Sequence, residues 1–529
     1  MKKQITLILI IMLILTFSSQ SFAFNNTSSN PTIEDVLIIK AGTGIDSIGY
    51  TPIMPEVERQ FPESFFVSNN GKTFFILDTV NKRILEYEKQ ELVKKIEIPF
   101  IEYAKDLIVL KDKIYVLEGN EDNTIYRIDM NGNIDEIIKK PEQLKQYQIN
   151  QLNIDKNNNL ILVYDGNKLY DIINSKIISN SDVSVKSISP KKGKIKTKEG
   201  IEIDVAFEEL YGSINIHNIT KEGYIYTSVE DVADTSKILV EHTIRKYNKT
   251  GKLEGIAAIP MERYISFPNK YMNVTNNGDI YIMIIEENQV IISKVNLDKN
   301  FKSTLKQKKS EYSIEDEEKN TNDDDIIITP MYDPSIPSRS TVNSRANSMT
   351  GYKWTYNSSN GQHSSYSYVT KPDYLVNTSY GSSLTGIPYC WGGFDGHDRS
   401  STGSWSNFGS AMSMGKEAGN VYTSGSYKSS TAGLDCSGFV SAALQFGSKY
   451  GTYGLNDMSD PISSSQLKYM DILIKPGSHV LFFYSWNSDK TVVNSKEATT
   501  SGYDKTKSYT RTWSWLSSNG YSAKTFGLR

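Results

Sequence analysis

Cys436 and His479 are the two residues of this 529-residue chain whose types and spacing could do covalent chemistry together. Cys436 stands near the head of LDCSGFVSAALQFG, Leu434 to Gly447, in which Phe439, Val440, Ala443 and Leu444 recur at helical spacing. His479 opens a run, HVLFFYSW, that reads as a strand. A thiol at a helix N-terminus feels unpaired backbone N–H groups and the positive end of the dipole, and both favour thiolate. An imidazole beside it favours thiolate further, so the pair reads as nucleophile and general base. The plain alternative for Cys436 is a helix cysteine that only packs. His363 and His397 rival His479 as bases by residue type alone.

The start of the chain bears on that alternative. Lys2 and Lys3, the apolar run Ile5 to Phe17, and Ser21-Phe22-Ala23 form the three parts of a secretory signal, predicted over residues 1–23. The apolar run is short for a membrane span, and no later stretch is long enough, so no stable span is expected once the signal is removed. In an exported chain Cys390 and Cys436 could pair. A chain this large has little need of one staple, and a bridge would consume the nucleophile, so Cys436 is read as free. The net charge of -3 carries no polybasic signature, which argues against nucleic acid as a partner.

The elements that must position this chemistry fall into three parts. Residues 34–300 alternate short Ile/Val/Tyr/Phe runs with turn residues, in degenerate copies such as NNGKTFFILDTVNKRILEYEK from Asn69 and NNGDIYIMIIEENQVIISKVNLD from Asn276. Phe75, Tyr115, Ile161, Tyr226 and Tyr281 align across the copies, and the first two steps match the period of a four-stranded blade. The longer steps imply insertions or a hidden copy around KGKIKTKEGIEIDV, from Lys192. The rhythm resembles NHL-like and other six- to eight-bladed β-propellers; an irregular pair of β-sandwiches is the structural alternative. Within it, DMNGNID at Asp129 to Asp135 spaces oxygens as a calcium loop does but lacks the distal acid, and Asn131-Gly132 reads more simply as a hairpin turn. His217 and His242 have no cluster of ligand residues around them, so neither a metal nor a cofactor is expected. Residues 301–337, with blocks of like charge and then prolines, read as an extended linker. The short IIIT from Ile326 is a candidate strand returning to close the propeller.

Residues 338–529 carry PYCWGG, DCSGFV and SHVLFFY in that order. These motifs resemble the NlpC-type family of bacterial cell-wall cysteine peptidases, and the resemblance is strongest from Asp435 to Val440. It implies an α+β, papain-like C-terminal domain beside the all-β propeller-like region, in a multidomain chain. It further implies Cys436 as nucleophile, His479 as base and Tyr389 as a residue lining the active site, with Trp391, Asp435 and Ser437 as substrate-binding residues. The third catalytic position is open between Asn494 and Glu497, which lie on opposite faces of one regular strand. Glu497 is preferred because a carboxylate would also stabilise the imidazolium. By the same resemblance the substrate is a peptidoglycan stem peptide and the protein is secreted or wall-associated, with the propeller docking wall polymer or a partner protein. Two alternatives stand beside this: a propeller-based binding protein with an inactive papain-like domain, and a papain-like amidase or acyltransferase.

Overall fold

The structure, a computed structural model, describes residues 32–320 and 337–529 apart from residues 56, 121, 156–158, 166–167, 173, 179–182, 362–367, 423–426, 488–489 and 491. The predicted signal peptide, residues 1–23, and the IIIT segment, residues 326–329, lie outside the described residues, as does His363. Among the described residues no helix is long and apolar enough to cross a membrane.

The N-terminal half is a β-propeller. Its strands form six consecutive antiparallel sheets, five of four strands and one of three. The blades occupy residues 64–97, 104–138, 149–178, 183–206 and 210–258, and the sixth joins residues 272–295 to the first strand of the chain, Ile33–Lys40. Closure is therefore made by the N-terminal strand, which pairs antiparallel with Gln289–Val295. Around the centre, Ser64 of the first blade and Lys270, just before the sixth, meet in a parallel bridge that completes the ring. Phe75, Tyr115, Ile161, Tyr226 and Tyr281 all lie on the second strand of their blades. The hidden copy from Lys192 is the three-stranded blade, and it accounts for the long step between Ile161 and Tyr226. The repeat has a packing cause. A Cβ on Gly278, in the hairpin of the sixth blade, would lie 2.6 Å from the Tyr226 hydroxyl of the fifth, and φ there is +81°. Glycine supplies both the left-handed turn and room for the neighbouring tyrosine. The DMNGNID segment is also a hairpin turn: Asp129 accepts the backbone N–H of Asn131 and Asn133.

The charged linker begins as a helix, Leu305–Asn320, where an extended tether was expected. Lys, Glu and Gln are strong helix formers, and Gln307 reaches Glu311 one turn on at 2.8 Å. Leu305 is buried, and Lys306 and Lys309 pair with Glu208 and Glu209 of the propeller. Blocks of like charge suit a solvated tether, but their spacing here also suits a docked helix.

The C-terminal half is an α+β unit. A six-stranded antiparallel sheet runs in the order Asp460–Pro461, Ser522–Thr525, Ile472–Lys475, His479–Trp486, Val493–Thr499, Lys505–Arg511. The helix Cys436–Ala443 packs on the strands His479–Trp486 and Val493–Thr499, and the helix Arg339–Thr350 packs against that helix. The other side of the sheet meets the fifth blade. Val232, Ile238 and Val240 share one apolar cluster with Leu473, Leu481, Phe483, Trp513 and Leu516. Each large side chain buried there contributes about 1.5–3 kcal/mol, so the junction is a core and not a loose contact.

Candidate functional site

The helix Cys436–Ala443 is placed by its cap. Asp435 Oδ1 accepts the Gly438 N–H at 2.7 Å, and its Oδ2 accepts the Gly392 N–H at 2.8 Å, tying the helix start to the PYCWGG loop. Gly438 is required there, since a Cβ would fall 2.0 Å from the Gly393 carbonyl oxygen. Ser437 donates to Asp435 Oδ1 at 3.1 Å, and Lys449 pairs with the same carboxylate at 2.9 Å. The structure thus turns Asp435 and Ser437 toward each other and the loop. Tyr389 is buried in the core cluster that includes Cys436, and its backbone N–H donates to the Asp504 carbonyl. Neither Cys390 nor Cys436 forms a disulfide. Cys390 lies against Thr431 Oγ1 at 3.2 Å, and burial pushes its pKa far up, which makes it a poor nucleophile.

His479 opens its strand and meets Glu497, with Nε2 2.8 Å from Oε2. Continuing the pairing of Phe482 with Lys496 puts Glu497 on the same face of the sheet as His479. Asn494 is brought elsewhere: it pairs with Ser485 toward the far end of the strand, and its Nδ2 donates to Ser485 Oγ at 3.1 Å. Bonding at Nε2 leaves Nδ1 as the ring nitrogen not engaged by Glu497. Tyr521 stacks edge-on against the imidazole, its ring centroid 6.4 Å from that of His479, and burial and then the Glu58 carboxylate raise its phenol pKa. His397 is exposed on its loop.

Behind Glu497 stands Arg511, on the adjoining strand. Its Nη2 donates to Glu497 Oε2 at 2.8 Å, and its Nη1 and Nη2 donate to Glu58 at 2.8 and 2.7 Å. Burial alone would raise the Glu497 pKa, but the Arg511 cation and the hydrogen bond from His479 outweigh it and hold the carboxyl well below its usual range. Glu497 is therefore a carboxylate able to fix one imidazole tautomer and stabilise its cation. Glu58, His479 and Glu497 also place three ligand-type atoms within 4.8 Å of one another. Arg511 already donates to both carboxylates, so the positive charge these groups call for comes from the chain itself.

Glu58, Arg511 and Tyr521 escaped sequence reasoning. Arg511 alternates correctly on a strand two removed from His479, which is a weak signal, and Glu58 lies 378 positions before Cys436 with no signal at all. Cys436 and Glu497 are fully buried and His479 is 1% exposed, so the whole constellation is closed to solvent. Beside it, a cavity of about 220 Å³ lies between the propeller mouth and the C-terminal unit, bounded by Glu58, Arg511, Lys270, His217 and Trp515.

No family model matches the sequence, and no curated protein matches it. Solved structures show distant similarity. Virginiamycin B lyase from Staphylococcus aureus is 15% identical, over 46% of this chain and 85% of that one, with a TM-score of 0.26. BamB from Moraxella catarrhalis is 10% identical, over 50% and 99%, with a TM-score of 0.28. The β-propeller domain of Cps50 (Swd1) from Myceliophteria thermophila is 9% identical, over 45% and 83%, with a TM-score of 0.26.

Proposed function

We propose that this chain is an exported cysteine peptidase that hydrolyses stem peptides of bacterial peptidoglycan, with the propeller holding wall polymer or a partner protein. The observation that carries the chemistry is the His479–Glu497 pair at 2.8 Å, on strands against which the helix begun by Cys436 packs. In this reading His479 keeps Cys436 as thiolate, and the thiolate attacks a peptide carbonyl to form a tetrahedral oxyanion. Collapse expels the amine, protonated by His479, and leaves a thioester that water hydrolyses to the acid and the free thiol. Glu497 holds the imidazole and offsets its charge, and Arg511 keeps Glu497 ionised. The wall-peptide substrate and the wall-associated location rest on the PYCWGG, DCSGFV and SHVLFFY motifs. The test is digestion of purified peptidoglycan by the full chain, its Cys436→Ala variant and its Glu58→Gln variant, with products read by mass spectrometry. Release of muropeptides that requires Cys436 is expected; no release by any chain with Cys436 intact overturns the reading.

One observation favours a second reading. The closed site suits a binding protein whose propeller does the work and whose C-terminal unit is inactive. Such a protein would bind peptidoglycan without cleaving it.

A further inference from the structure

Something specific closes the site. Between the first strand and the first blade, the chain leaves the propeller and crosses the C-terminal unit. The Pro55 carbonyl accepts the Trp391 indole N–H at 3.1 Å. Val57 packs against the core cluster that includes Cys436. The Glu58 carboxylate takes the Arg511 guanidinium end-on and also accepts from Thr499 Oγ1 at 3.1 Å. Gln60 donates to the Thr500 carbonyl at 3.1 Å. The segment therefore runs from the PYCWGG loop, on the side of the nucleophile, to the end of the Val493–Thr499 strand, on the side of the base. On the way its carboxylate passes within 4.8 Å of a ring nitrogen of His479. It is anchored to the propeller just beyond: Arg59 donates to the Thr51 carbonyl at 3.1 Å and pairs with Glu287 at 3.0 Å.

We propose that the groove from Trp391 past Cys436 and His479 to Thr500 is a binding site for an extended peptide bearing a side-chain carboxylate, and that Pro55, Val57, Glu58 and Gln60 are its resident occupant. Each contact is of the kind an extended peptide makes: backbone carbonyl to a side-chain donor, an apolar side chain to an apolar wall, and a carboxylate to a fork of two guanidinium N–H groups. Arg511 with Thr499 is the specificity element, and a neutral or basic side chain there would leave a buried cation facing no charge from the peptide. An incoming peptide binds by displacing the segment, so its apparent affinity is reduced by the fraction of chains in which the groove is occupied. The inference rests on Cys436 being the nucleophile of the proposed function.

The test uses the full chain and iodoacetamide, whose carbon forms a bond with the cysteine sulfur as iodide leaves, with peptide mapping to separate Cys436 from Cys390. Glu58→Gln keeps the shape of the side chain but removes one of the two carboxylate charges that hold Arg511. It is expected to speed alkylation of Cys436 at least about tenfold over the unaltered chain while leaving Cys390 unchanged, since a tenfold change needs only ~1.4 kcal/mol and breaking a buried charge pair costs more. A synthetic peptide of residues 52–61 should slow alkylation of Cys436 in the variant, and the same peptide with Gln in place of Glu58 should slow it much less. Should Glu58→Gln fail to fold, Trp391→Phe, which removes only the donor to Pro55, takes its place with the same readout. Equal Cys436 rates in variant and unaltered chain, a matching rise at Cys390, or no protection by the peptide overturns the proposal. Peptidoglycan digestion separates this from the wider reading. Alkylation controlled by Glu58 with no muropeptide released overturns the cell-wall function alone, and Cys436-dependent release that Glu58→Gln leaves unchanged overturns the groove alone.

Discussion

At the scale of single residues, the proposed chemistry turns on which side chain faces His479. Residue type could not separate Asn494 from Glu497, because both sit on one strand and either could orient an imidazole. Strand register separates them, and register is fixed by cross-strand pairing that no single strand reveals. The same limit hid Arg511 and Glu58, whose roles depend on contacts across 453 positions of sequence. Glu497 is the residue on which this network converges, and Glu497→Gln should both lower activity and destabilise the fold. It leaves buried Arg511 with Glu58 as its remaining carboxylate, a change of about 3–5 kcal/mol for a broken buried pair. The pH dependence follows from the depressed Glu497 pKa. In the unfolded chain the carboxyl titrates near its ordinary value of 4.5, so the stabilisation is complete above that pH and is lost as pH falls toward the folded value. The gap in melting temperature between the unaltered chain and Glu497→Gln should therefore be widest near neutrality and narrow in acid. A gap that stays constant from pH 7 to pH 3 would show that the carboxylate charge does not supply the stabilisation.

At the scale of elements, legibility followed local signals. The helix Cys436–Ala443 was readable because its apolar spacing, its Asp435 cap and its start all lie within ten residues. The hidden blade from Lys192 was partly readable, since its strands alternate but the fourth strand is missing among the described residues. The linker helix was not, because charge blocks and helix propensity predict opposite outcomes and the docking partners, Glu208 and Glu209, lie on another element. Asp435 shows what a cap does beyond its own helix. Asp435→Ala removes acceptors for Gly438 and Gly392 together and leaves Lys449 without that carboxylate, where an ordinary cap loss costs about 0.5–2 kcal/mol. We expect a loss at or above the top of that range by urea denaturation. Asp435→Asn, which keeps one acceptor oxygen, should recover more than half of it. If the alanine variant costs under about 0.5 kcal/mol, the loop and helix are held together by something other than this carboxylate.

At the scale of the molecule, the propeller and the C-terminal unit are joined by groups that each would hold poorly alone. His242 of the fifth blade lies between Ser514 of the C-terminal helix, 2.6 Å from Nδ1, and Tyr271, 2.8 Å from Nε2. Burial, with a smaller contribution from His217, lowers its pKa from 6.5 to about 3, so the ring is neutral in the native state at any moderate pH. The unfolded chain takes up a proton at this residue near pH 6.5 and the folded one does not until far lower. A depressed folded pKa makes stability complete above the unfolded value and erodes it as pH falls through the window between the two. By pH 5 this residue alone should cost the fold about 2 kcal/mol relative to pH 7. Because the ring bridges the two halves, the loss should appear in both at once: Trp513 and Trp515 at the junction and the propeller strands should lose structure in a single transition, followed by tryptophan fluorescence and by circular dichroism. His242→Gln, which can still bridge two hydroxyls but does not titrate, should be less stable than the unaltered chain at pH 7 and show a shallower decline toward pH 5. An unchanged slope in that variant would place the acid sensitivity in other groups, and two separated transitions would show that the shared core does not bind the halves into one cooperative unit.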